Sequence, residues 1–151
     1  MGRTMSWKTP IPLTERKQGA NMDYLRRIID AKIYDLVKDT PLHRAEDLSQ
    51  KLGNNIFLKR EDAQKVFCFK LRGAHNKMLS LTADQREKGV VAVSGGNHAQ
   101  SVAFSANALQ IPSTIIMPRH TSHNKYAAVK RFGGDYAKIV LFGAYQREGV
   151  E

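Results

Sequence analysis

Residues 89–104 read GVVAVSGGNHAQSVAF, and how this stretch divides decides the fold. VVAVS (90–94) is a short β-branched apolar run of the kind that forms a buried strand. From Ala99 onward the apolar residues Val102, Ala103, Ala106 and Leu109 recur at helical spacing, so strand passes into helix at Ser94-Gly95-Gly96-Asn97-His98. Two adjacent glycines let the backbone turn tightly and bring its amides against a ligand. A helix that starts there also offers unpaired N–H groups to an anion, and Ser94 and Asn97 add side-chain hydrogen-bonding groups at the same mouth. The same wording fits a plain strand-to-helix turn with Asn97 as its cap. A nucleotide P-loop is excluded because the GK[ST] ending is missing.

Working downstream, STIIM (113–117) reads as a strand, Tyr126, Val129 and Phe132 mark a helix closed by Gly133, and KIVLF (138–142) is a third strand. Strands alternating with helices at this spacing predict a parallel α/β unit over 90–143, a sheet with helices packed on it in three layers. Ligands of such sheets bind at the carboxyl ends of strands, where the 94–98 turn falls.

Upstream, Asn21 is positioned to cap a helix over 22–38, with Met22, Leu25, Ile29, Ile33 and Leu36 as its stripe and Pro41 beyond its end. A second helix runs from Ala45 to Leu52 and stops at Gly53, and NIFLK (55–59) is a strand. VFCFKLRGAHNKM (66–78) then opens a helix with Leu71, Ala74, Met78 and Leu81 on its apolar face. That puts Lys70 in the first turn. The positive end of the helix dipole and the neighbouring Arg72 both favour a neutral amine there, the form that attacks an aldehyde. Off the apolar stripe, Lys70 equally fits an ordinary solvated lysine. Residues 1–20, with two prolines and four Lys or Arg against Glu15 alone, read as a flexible basic tail or the remnant of an organellar targeting segment.

Composition narrows the class. With 42% hydrophobic and 25% charged residues the chain is of ordinary globular make-up, and no apolar run reaches the length of a membrane span. A lone Cys68 excludes an internal disulfide and a cysteine-rich metal site, and no metal is expected. The formal charge of +10 is concentrated where acids are missing: Lys88 to Gly134 holds no Asp or Glu but carries Arg119, Lys125, Lys130 and Arg131. That span attracts anions or is a solvated basic face. Without a basic helix interleaved with aromatics or zinc-finger spacing, nucleic acid is not the expected partner.

Taken together, KREDAQKVFCFKLRGA and VSGGNHAQ, with TPL (40–42) and the KRFGG turn, resemble the threonine dehydratase family of pyridoxal-phosphate enzymes, closest to its biosynthetic branch. The resemblance runs from about Tyr24 to Gly143. It implies a fold-type II, tryptophan-synthase-β-like fold, here incomplete. Residues 21–81 would belong to the large cofactor domain, 82–143 would be the small α/β domain, and 144–151 would start a further helix. It implies pyridoxal 5'-phosphate as cofactor, Lys70 as the lysine that holds its aldehyde, Phe69 packed near its ring and Asn97 bonded to the ring hydroxyl. Ser94, Gly95, Gly96, Asn97 and His98 would receive the substrate carboxylate. The implied reaction converts L-threonine to 2-oxobutanoate and ammonia in isoleucine biosynthesis, with L-serine as the alternative substrate and a homo-oligomer as the full-length form. Such enzymes are cytoplasmic in bacteria and plastid or mitochondrial in eukaryotes.

Three positions depart from the family's usual residues: Cys68 stands where serine is common, Gly95 where serine or alanine is, and Ser101 where glycine is. Family members are also longer and carry a glycine-rich phosphate loop. Neither Gly95-Gly96 nor Gly133-Gly134 reads as that loop. The expectation is therefore an N-terminal part of the enzyme with little activity alone. Its alternatives are a serine dehydratase or racemase of the same fold, or a catalytically silent anion-binding fragment.

Overall fold

The structure, a computed structural model, describes residues 24–149 and divides after Ala31 into a short N-terminal unit and a main unit. The first contains α1 (Tyr24–Ile29), supported by an exposed Arg26–Asp30 pair at 3.7 Å. The helix expected over 22–38 is thus not formed as such: it ends at Ile29, while Asn21 and Met22 lie outside the described residues. Residues 33–40 are irregular because tertiary bonds claim their backbone. Gln64, 1% exposed, accepts the Lys38 N–H at 3.0 Å and donates to the Lys38 carbonyl at 2.8 Å, so neither group is free for a helical ladder.

The main unit begins with β1 (Leu42–Arg44) paired antiparallel to β2 (Phe57–Lys59), with α2 (Glu46–Leu52) between them. As expected, α2 stops at Gly53, whose φ of 58° is left-handed. NIFLK is a strand in its last three residues. β1 is new: three residues, LHR, are too few to display an alternation.

Next come α3 (Lys70–Leu79) and the short α4 (Ala83–Lys88). The sequence reading passed over α4, although its signal was present. Thr82 accepts the Gln85 N–H at 3.3 Å while the Gln85 side chain accepts the Thr82 N–H at 3.0 Å, a reciprocal capping box.

The decisive stretch resolves as β3 (Val90–Val93) and α5 (Asn97–Leu109). β4 (Ser113–Met117), α6 (His123–Gly133) and β5 (Ala137–Leu141) follow. The three strands form one parallel sheet in the order β3-β4-β5, with Ala92 opposite Ile115 and Ile115 opposite Ile139. That row, with Met117, packs against Ala99, Val102, Ala103 and Ala106 of α5 and Val129 of α6, so both crossover helices cover one face. The other face holds Val91, 69% exposed, and among the described residues meets the 3-10 turn Gln146–Gly149 near Ile116 and Val93. α3 stacks on α5, and its Ala74 and Met78 enter the same core.

Gly133 explains how closely α6 lies to its neighbours: a Cβ there would sit 2.1 Å from that of Ala137 and 3.4 Å from that of Ala103. Gly134 follows at φ 50°. Both glycines of this second pair serve packing and turning.

Candidate active site

Lys70 is the first residue of α3, and the chain leading to it is held by alternate burial. Val66 and Cys68 point inward at 1% and 6% exposure, whereas Phe67 and Phe69 point outward at 68% and 64%. Phe67 has φ 58°, a left-handed conformation that is strained for a bulky side chain and persists because its two neighbours are anchored. Lys70 and Phe69 are therefore presented to solvent at the start of the helix, with Lys70 in the first turn as the spacing predicted.

The second element is the turn after β3. Ser94, nearly buried, extends the sheet by donating its N–H to the Ile116 carbonyl at 2.9 Å, and its Oγ accepts the Gly96 N–H at 3.2 Å. A Cβ on Gly95 would lie 3.0 Å from Thr121 Oγ1 and 3.2 Å from Pro118 Cδ, so the turn rests closely on the segment after β4. A Cβ on Gly96 would meet nothing within 4 Å. Gly96, not Asn97, is the cap, and Asn97 is the first helical residue with its side chain exposed. The first backbone bond of α5 runs from the Gln100 N–H to the Gly96 carbonyl at 3.3 Å, which leaves the amides of Asn97, His98 and Ala99 ahead of the helical ladder.

These two elements meet. Cys68 Sγ lies 3.5 Å from Ser101 Oγ and 3.9 Å from the Asn97 carbonyl oxygen, and Ser101 donates to that same oxygen at 2.8 Å. The residue two before Lys70 is thereby packed on the first turn of α5. His98 registers the proximity electrostatically: partial burial first, and the Lys70 cation second, hold its imidazole below the ordinary histidine value.

One part of the sequence argument is revised. Arg72 was expected to act on Lys70 as a like charge, but its Nη2 and Nε donate to the two Glu61 oxygens at 2.7 and 2.9 Å. Hydrogen bonding to Arg72 holds the Glu61 carboxyl below its ordinary value, and the same bond raises Arg72. The pair offsets the charge that the argument needed. Arg72 also reaches the Lys38 carbonyl at 3.2 Å and sits over the Tyr34 ring, so it ties the 34–40 segment to α3.

Sequence reasoning named Ser101 only as a departure from the family and passed over His75. Ser101 follows Asn97 by four residues, the spacing of a hydroxyl bonding back along its own helix, and that is the signal available for it. His75 is fully buried on the apolar stripe of α3 with Nε2 3.0 Å from Asp35 Oδ1. Arg119, Lys125, Lys130 and Arg131 are all exposed, and Arg131 lies over the Phe132 ring. These four cations of the acid-free span lie on the surface. Among the described residues no group of His, Cys, Asp or Glu is arranged to hold a metal.

Residues 33–151 match the family model described as pyridoxal-phosphate dependent enzyme. The biosynthetic chloroplastic threonine dehydratase of Arabidopsis thaliana is 50% identical over 122 residues, which are 81% of this chain and 20% of that protein. Among solved structures, the processed form of threonine deaminase isoform 2 from Solanum lycopersicum superposes with a TM-score of 0.76 at 45% identity, over 83% of this chain and 36% of that one. Maize serine racemase gives 0.74 at 35% identity, over 81% of this chain and 36% of its own. The chain spans about a fifth of the length of the curated threonine dehydratases it matches. A family match that takes in β1 through β5, with Lys70 and the 94–98 turn inside it, means that this chain belongs to the pyridoxal-phosphate dependent enzymes.

Proposed function

We propose that this chain carries the cofactor lysine and the carboxylate-binding turn of a lyase that converts L-threonine to 2-oxobutanoate and ammonia. The observation that carries the reading is the packing of Cys68 on Asn97 and Ser101, which brings the start of α3 and the start of α5 to one mouth. Support for threonine comes from the 50% identity to the plant threonine dehydratases; among solved structures a second threonine deaminase is, at 35%, no more similar than the maize serine racemase.

The donor set fits pyridoxal phosphate on its ring side. Lys70 would supply an exposed amine for the aldehyde, Asn97 an exposed side-chain amide for the ring hydroxyl, and Phe69 an exposed aromatic face beside the lysine. When bound, the cofactor supplies an electron sink for the charge left when the α-proton departs. The chain's own work is positional. The amides of Asn97, His98 and Ala99 at the α5 start, with the Ser94 hydroxyl nearby, receive a carboxylate and fix the α-carbon. Placed at the start of α3, the Lys70 amine would serve as the base that takes the α-proton. His98, held toward its neutral form, adds no second cation beside that amine.

Incubation with low pyridoxal phosphate, borohydride reduction and peptide mapping test the assignment. Lys70 is expected to carry more label than any other lysine. Label spread evenly over the surface lysines overturns the reading.

A further inference from the structure

The bonds around Cys68 have a direction. The Ser101 hydroxyl proton is committed to the Asn97 carbonyl at 2.8 Å, so toward Cys68 its oxygen is an acceptor. The thiol therefore donates to Ser101, which donates to Asn97 O, an oxygen that also receives the Ser101 N–H of the helical ladder. Three donors converge in series or directly on one carbonyl. Cys68 is 6% and Ser101 0% exposed, so no water competes for these bonds. One end of the chain of bonds is two residues from Lys70, and the other is the backbone of Asn97.

We propose that Cys68 and Ser101 are positioning residues, a buried polar clasp that sets the Lys70 amine at a fixed distance from the 94–98 turn. Val66 and Leu71 bury the same segment but are apolar, and apolar packing fixes depth better than register along α5. A thiol bonded to a hydroxyl is directional and specifies where on α5 the segment docks. The role in lysine placement rests on the proposed function, while the clasp itself does not.

The test reads the Lys70–His98 proximity without cofactor, by NMR titration of His98 in the 151-residue chain. Lys70→Met calibrates it, since removing the cation raises the His98 pKa. Cys68→Ala and Ser101→Ala are expected to reproduce at least about half of that rise, because a loosened clasp lets the amine swing away. Cys68→Val keeps volume without a donor and must behave like Cys68→Ala. Cys68→Ser restores a donor and must return the titration to the wild-type value although the side chain is smaller. In a second arm, the Lys70 share of borohydride-trapped pyridoxal phosphate falls about fivefold in Cys68→Val, the equivalent of one ordinary hydrogen bond. Wild-type titration in both Cys68→Val and Ser101→Ala, or no rescue by Cys68→Ser, overturns the clasp. If wild-type label ignores Lys70, the proposed function falls and the His98 titration still decides the clasp.

Discussion

Glu61 and Arg72 show how much a single pair fixes around Lys70. Both side chains are largely buried, at 16% and 23% exposure, and both are multiply bonded. Glu61→Gln should cost about 2 kcal/mol near neutral pH, the scale of hydrogen bonds to charged groups, as read by urea melts. The pH dependence has a definite sign. The Glu61 carboxyl is lowered in the folded state, so its stabilisation is complete above its unfolded value of about 4.5 and is lost as pH falls through the lower folded value. The difference between wild type and Glu61→Gln should therefore close below about pH 4.5. A difference that persists unchanged at acid pH would contradict this account. At His98 the pKa is also lowered, by partial burial first and the Lys70 cation second, so Lys70→Met should raise it, checked by the same titration that calibrates the clasp.

Elements were legible where period and punctuation agreed. VVAVS, STIIM and KIVLF are strands because β-branched runs of four or five residues lie between glycine or proline signals, and their parallel pairing follows from the helices between them. Lys70 opening α3 was legible from Leu71, Ala74 and Met78. The helix over 22–38 was misread because Ile33 and Leu36 extend its period, while the deciding partner, Gln64, is 26 residues from Lys38. No local pattern carries that information. The Cys68–Ser101 contact is of the same kind, spanning 33 residues. At the level of the helix, Gly133→Ala should be poorly tolerated. Its Cβ would overlap Ala137, forcing α6 off β5 at a cost of about 1–3 kcal/mol, measured as a lowered melting temperature. Gly96→Ala meets nothing within 4 Å, so its cost should be confined to the poorer N-cap, up to about 1 kcal/mol, with a smaller drop in melting temperature than Gly133→Ala.

At the scale of the molecule, apolar surface is uncovered in several places among the described residues. Leu42, Phe57, Leu58 and Leu52 are 62%, 53%, 49% and 63% exposed around the β1–β2 pair, and Val91, Leu141 and Phe142 are 69%, 47% and 49% exposed on the parallel sheet. Among the described residues no further strand is paired to β5, which ends the sheet. The chain alone should bind an apolar dye and self-associate with rising concentration. Val91→Lys should reduce that association without lowering the melt, and a dye-silent monomer at all concentrations would contradict the expectation.

Phe67 adds a consequence for chemical synthesis. Its φ of 58° is disfavoured for an L-residue and natural for a D-residue, and its side chain is exposed, so a mirror-image centre there would relieve strain without disturbing the core. The next residue, Cys68, is the chain's only cysteine. A thioester ending at residue 67 can therefore be ligated to a peptide beginning with Cys68, and D-Phe introduced at the joint. The ligated protein should melt at or above the temperature of the all-L chain. Its lysine, three residues past the joint, would then stand on a backbone stitched together at a strained point.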